Sequence, residues 1–167
     1  MKKILTVALL FMVIITSCKK DEEETFKLNM TYTSAEQAQL TIDEKIITDY
    51  ISKNNVQNVK RTENGLYYVI VQPGTGNFRY TASTYVTAKY TGRLLSNGTV
   101  FDSSSTGIGF ALSRVIYGWQ EGVTLIQNGG KIRLFIPSVL GYGTTGSGPI
   151  PANAVLDFDI ELISASK

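Results

Sequence analysis

The stretch "VLDFDIELI", residues 155–163, puts Leu156, Phe158, Ile160 and Leu162 at every second position and fills the gaps with Asp157, Asp159 and Glu161. A period of two with acids between the apolar residues predicts a strand in an antiparallel sheet that has one buried and one wet face. Upstream, "TYVTAKYTG" (84–92) repeats the pattern, with Val86, Ala88 and Tyr90 on one face and Tyr85, Thr87 and Lys89 on the other. "VQNVKRT" (56–62) and "LYYVIVQ" (66–72) flank "ENG", and Asn-Gly tolerates the positive φ angles of a tight hairpin. Further short strands are expected over 99–102, 109–112 and 131–136. Only residues 118–127 show a helical period in this half of the chain, with Trp119, Val123 and Ile126 on one side. Several strands and one short helix make an α+β domain, the helix lying on the sheet's apolar face.

Size and composition agree with one such domain. A chain of 167 residues with 43% hydrophobic content can bury one core of domain size. With Lys2 and Lys3 set aside, the remaining basic residues balance the 14 acidic ones, so nothing favours nucleic acid as a partner. The absence of histidine excludes His-based triads, bases and metal sites, and a single cysteine excludes an internal disulfide or a Cys-cluster zinc site. No metal and no cofactor is expected. "GYGTTG" (141–146) matches G-x-G-x-x-G only in letters, because Pro137 precedes it, "SGPIP" follows it, and no helix can begin there to receive a phosphate.

The N-terminal third has a different grammar. "MKKILTVALLFMVIITSC" (1–18) combines two lysines, an apolar run from Ile4 to Ile15 too short to span a bilayer, and small residues before Cys18. "ITSC" resembles a bacterial lipobox. Residues 1–17 are therefore expected to be a lipoprotein signal peptide, and Cys18 the acylated first residue of an outer-membrane protein held by its lipid anchor. Residues 18–33, charged and without a regular apolar period, are expected to form a flexible tether. Its acidic run "DEEE" resembles the lipoprotein export signals of Bacteroidetes, which leaves the periplasmic face and the cell exterior as alternative locations. Residues 34–56 read as an amphipathic helical extension: Ile42, Ile46, Ile47, Tyr50 and Ile51 form a stripe opposite Asp43, Glu44, Asp49 and Lys53. Both Ser34/Gln37 and Thr41/Glu44 have capping-box spacing at its start. The stripe requires cover, either from its own domain or from a second copy in a homodimer.

Four motifs occur together in "YTGRLLSNGTVFDSS" (90–104), "VIYGWQEGV" (115–123), "GYG" (141–143) and "IPANAVLDFDIEL" (150–162). In order and spacing they resemble the FKBP-type peptidyl-prolyl cis-trans isomerases, over residues 57–167. The resemblance implies a curved antiparallel sheet wrapped around one short helix, and an apolar pocket whose floor is Trp119. It implies that Tyr90, Phe101, Asp102, Tyr142 and Phe158 form the catalytic set, and that Ile108, Val115, Ile116 and Ile150 join Trp119 in binding substrate. Asp102 would orient Tyr90, Tyr142 would offer its hydroxyl, and the Ile116 N–H would hold a substrate carbonyl. Gly118 and Gly122 would let the helix approach the sheet. Proline-containing polypeptides would be the substrates and macrolides the inhibitors. Ile108, Arg114 and Ser147 depart from better-known members. A non-catalytic chaperone or binding module on the same fold, and a surface adhesion or nutrient-binding role, are the alternatives.

Overall fold

In a computed structural model of the protein, residues 27–167 are described. The expected signal peptide, Cys18 and the acidic run fall outside them. The elements are α1 (Ser34–Lys53), β1 (Lys60–Arg61), β2 (Tyr67–Gln72), β3 (Tyr85–Leu94), β4 (Val100–Ala111), α2 (Tyr117–Val123), β5 (Lys131–Ile136) and β6 (Leu156–Ser166). The six strands form one curved antiparallel sheet in the order β1-β2-β5-β6-β3-β4. The strand that opened the sequence reading sits inside it, between β5 and β3. Its register sets Phe158 beside Leu134 and Gly92, and Ile160 beside Ile132 and Tyr90, so the inward row runs unbroken across three strands. These apolar residues pack with Trp119 and Val123 of α2 in the main core.

The expected pair of short strands over 99–102 and 109–112 is one continuous strand, β4. Register shifts against β3 between Ala88 and Tyr90 and between Gly92 and Arg93 absorb its extra length. The run "DSSST" hid the strand because it has no apolar alternation; pairing of Asp102, Ser103 and Ser104 with β3 makes it one. The hairpin at "ENG" forms, with Gly65 at φ +93°, but β1 pairs over only two residues.

The wet face of the sheet is not wet throughout. Ile47, Leu95, Phe135 and Val155 form a second buried cluster on the outer side, joined by Tyr50, Ile51, Tyr67 and Val69. Here α1 lies against the back of the sheet, so the helix is covered by its own domain. The stripe is corrected as well: Ile42 and Ile46 are exposed, whereas Asp43, expected on the polar side, is completely buried. Its Oδ2 accepts hydrogen bonds from the Ser138 N–H (2.7 Å) and hydroxyl (2.6 Å), while Oδ1 accepts from Gln39 (2.8 Å). A buried carboxylate with these donors replaces an apolar knob at the centre of the contact, and hydropathy cannot foresee that. The helix start also differs from both capping boxes proposed, since Thr33 is the N-cap and Glu36 its reciprocal partner. Asp157 is likewise drawn from water: Arg133 grips it through Nε and Nη2 at 2.9 and 2.8 Å, lies over the Phe135 ring and donates to the Tyr50 hydroxyl.

The tether expected over residues 18–33 ends earlier than its sequence suggested. Leu28, Met30 and Tyr32 alternate inward, and Met30 and Tyr32 pack on the main core. Asn64 fixes the segment, donating to the Leu28 carbonyl and to Glu121 of α2 while accepting from the Met30 N–H. Asn64 thus ties the N-terminal strap to the short helix.

Removing the Asp43 carboxylate should leave buried donors at Ser138 without a partner. Asp43→Ala is expected to lose about 2–3 kcal/mol in urea unfolding. Ile46→Asp, one helical step away and exposed, should change stability by less than about 0.5 kcal/mol. Equal effects of the two would contradict this orientation of α1.

Candidate functional site

Two glycines decide where α2 lies. A β-carbon at Gly118 would come within 2.5 Å of Ile136 Cγ2, and one at Gly122 within 2.5 Å of Leu134 Cδ1. Both positions must be bare for the helix to rest on β5 at this distance. Trp119, between them, is then pressed into the sheet's concave face at 4% exposure. Burying an indole of this kind stabilises the fold by about 4–6 kcal/mol before ordering costs.

Aromatic edges meet the indole from three sides. Tyr90 stands at 5.2 Å and 88°, Phe158 at 5.5 Å and 87°, and Phe110 at 5.7 Å and 69°. Such near-perpendicular contacts set positive ring edges against a negative face. Phe101 continues the wall edge-on to Phe158 at 5.5 Å. It can do so because Gly92 carries no side chain; a β-carbon there would fall 2.5 Å from Phe158 and 2.8 Å from Phe101. The glycine of "YTG" therefore shapes the site.

These rings enclose a cavity of about 230 Å³, completed by Val115, Ile116, Tyr142, Asp102 and Arg114. That is below the roughly 300–1,000 Å³ usual for drug-sized ligands, and it suits a single small ring. Larger hollows of about 490 and 580 Å³ are lined by charged residues including Lys131, Arg93 and Arg133, which are paired with Glu161, Asp159 and Asp157. Each has only one aromatic ring in its lining, whereas six converge in the smaller cavity, which is the candidate site.

Its polar groups are few and placed. The Tyr90 hydroxyl donates to Asp102 Oδ2 at 2.7 Å. Burial, then the hydrogen bond and charge of Asp102, push the Tyr90 pKa well above its ordinary value; burial and then Asp102 raise that of Tyr142. Both phenols stay neutral at physiological pH. Tyr142 is held in a turn whose Gly143 N–H donates to the Ser138 carbonyl and whose Gly143 carbonyl accepts from Asn153. The approach to α2 is fixed by Gln120, whose side chain donates to the Val115 carbonyl at 2.8 Å. The Ile116 carbonyl accepts from the Trp119 and Gln120 N–H groups, while its own N–H donates to no acceptor among the described residues.

Eight of the ten residues singled out in the sequence thus converge on one cavity. Two do not. Ile108 lies outside it on β4, paired with Ala88 and 48% exposed. Ile150 is buried in the core, bonded through its backbone to Ser147, and does not line the cavity. Phe110 was missed, although it lies on the same strand parity as Ile108 and one pleat further on. Arg114, read only as a departure, lines the mouth.

Comparison with known proteins agrees with this geometry. Residues 77–163 match the family model of FKBP-type peptidyl-prolyl cis-trans isomerases. The chain belongs to the FKBP family. It is 46% identical over 123 residues to the FKBP-type peptidyl-prolyl cis-trans isomerase FkpA of Aeromonas hydrophila, a match covering 71% of this chain and 45% of that protein. The chain spans about half the length of such curated relatives. Among solved structures, FkpA from Escherichia coli aligns with a TM-score of 0.66 at 36% identity, covering 80% of this chain and 65% of that one. A peptidyl-prolyl cis-trans isomerase from Pseudomonas syringae aligns with a TM-score of 0.67 at 31% identity, covering 83% of this chain and all of that one.

If the close approach of α2 positions the cavity floor, Gly122→Ala should cost about 1–3 kcal/mol, because buried Leu134 has nowhere to move. Thermal unfolding checks the loss, and Trp119 emission should shift to the red as the indole gains water. Unchanged stability would mean that the helix can slide away from β5.

Proposed function

We propose that this protein is a peptidyl-prolyl cis-trans isomerase that acts on exported polypeptides. The observation that carries the reading is the indole of Trp119 laid as the floor of a ring-sized cavity, with Tyr90, Phe110 and Phe158 edge-on around it. Rotation about an X-Pro amide is slow because twisting breaks resonance, at a barrier of about 18–20 kcal/mol. A planar amide has more charge separation than a twisted one and is better solvated by water. Moved into an apolar aromatic cavity, the planar ground state loses more than the twisted form does, and each ~1.4 kcal/mol of that difference is tenfold in rate. No proton need be transferred and no covalent bond formed. Asp102 then acts by holding the Tyr90 phenol against the indole, and the Tyr142 hydroxyl and Ile116 N–H orient the peptide. Macrolides that carry a proline-like ring would compete for the same floor.

The N-terminal sequence supports an exported, lipid-anchored location. A lysine-initiated apolar run leads to "ITSC", and acylation of Cys18 would attach the protein to the outer membrane, facing the periplasm or, if the acidic run after it acts as a signal, the exterior. Eight residues separate Cys18 from Lys27, where the described chain begins, a reach of at most about 30 Å. Such a leash keeps the cavity close to the bilayer.

Added to a protein whose refolding waits on proline isomerisation, the purified chain should accelerate the slow phase. The rate should be nearly flat from about pH 6 to 9, because Tyr90 and Tyr142 titrate above their ordinary range and there is no histidine. Tyr142→Phe should lower kcat/KM with little loss of stability. Phe158→Ala should lower both, stability by about 3–5 kcal/mol. A slow phase untouched at micromolar protein would end the isomerase reading. For the anchor, Cys18→Ser should release the protein from the membrane fraction and abolish labelling by radioactive fatty acid; a membrane-bound Cys18→Ser protein would contradict it.

A further inference from the structure

The cavity over Trp119 has two charged side chains at its edge, Asp102 and Arg114, and they are held differently. Asp102 accepts the Tyr90 hydroxyl. Arg114 ends a short 3-10 turn, Leu112–Arg114, is exposed, and has no hydrogen bond or ion pair among the described residues. It is a guanidinium at the mouth of a largely apolar cavity, and no carboxylate among the described residues is bound to it. Arginine is suited to gripping carboxylates through paired N–H donors.

Which part of a substrate passes Arg114 follows from the reaction, so the inference rests on the isomerase reading. During rotation the carbonyl before the proline swings relative to the ring. A fixed backbone donor can hold only a carbonyl that stays in place, and that is the proline's own. The donor without a protein acceptor is the Ile116 N–H, two residues from Arg114 along one extended stretch with Val115 between. A substrate anchored there leaves the cavity on the proline's C-terminal side, along Val115 and Arg114. Its next residue lies one Cα step of about 3.8 Å beyond the ring, too far to enter the ring-sized space and close enough for a long side chain at the mouth to meet it. We infer that Arg114 selects substrates that carry an acidic residue immediately after the proline.

The test uses peptides with both ends blocked, identical except for Glu, Gln or Lys after a single proline, with cis-trans exchange followed by magnetisation-transfer NMR and no coupling protease. At low salt kcat/KM should fall in the order Glu, Gln, Lys, with roughly three- to tenfold between the extremes, as expected of charge pairs at an exposed rim. The spread should narrow as salt is raised. Arg114→Gln should bring the Glu to Lys ratio near one, and Arg114→Glu should invert it. Peptides with the same charges placed before the proline should show no such inversion. If the wild-type protein catalyses the Gln peptide but does not distinguish Glu from Lys, or if Arg114→Glu leaves the order intact, the selection is disproved while the isomerase reading stands. A protein inactive on all three peptides overturns both.

Discussion

The contact between α2 and β5 is the constraint on which the rest depends. Gly118 meets Ile136 and Gly122 meets Leu134 with no room for a methyl group, and the indole between them has only one place to go. Once Trp119 lies on the concave face, Tyr90 and Phe158 from neighbouring strands and Phe110 from the edge strand find its face within 6 Å. Floor, walls and core are therefore the same residues. The energy that folds the domain is the energy that organises the site, and the cavity needs no separate scaffold.

The outer face of the sheet obeys a second logic. A sheet this curved leaves Phe135, Val155 and Leu95 outward, and α1 covers them. Apolar contact is non-directional and would allow the helix to rotate or slide. The buried Asp43, bonded to the backbone and hydroxyl of Ser138, fixes one rotation, and the Arg133–Asp157 pair with Tyr50 fixes a second point. Ser138 lies in the turn that leads to Tyr142, whose neighbour Gly143 donates to the Ser138 carbonyl. A polar contact on the back of the sheet is thus continuous with the loop that closes the cavity on the front.

Much of this was legible in the sequence where periodicity carries it. Alternation located β3, β5 and β6, and the glycines around Trp119 announced a close approach. Other features are not legible because something other than apolar spacing carries them. The polar run of β4 is a strand because its backbone pairs with β3. Asp43 is buried because Ser138, 95 residues away, supplies donors. The strap at Leu28, Met30 and Tyr32 did alternate, but the acidic run before it made the whole segment read as solvated. At the site, the family resemblance pointed to Ile108, and nothing pointed to Phe110. Both pair with β3 on the same side of the register shift, Ile108 opposite Ala88 and Phe110 opposite Val86, so which of them reaches Trp119 is set by where α2 docks, and one strand's residues do not encode that.

A site built from core residues limits what can vary. Truncating Phe158 or Trp119 removes packing as well as function, so these positions leave little freedom for tuning substrate choice. The freedom lies at the rim, where a side chain touches the cavity on one side and water on the other. Asp102 is not free in this sense, because Tyr90 is bonded to it and leans on the indole. Arg114 is exposed, its turn is fixed by backbone bonds, and the Gln120 side chain secures the neighbouring Val115 carbonyl. Its charge can therefore change without disturbing the floor. The floor is shared with the core and cannot change alone, whereas the charge at its mouth can be replaced.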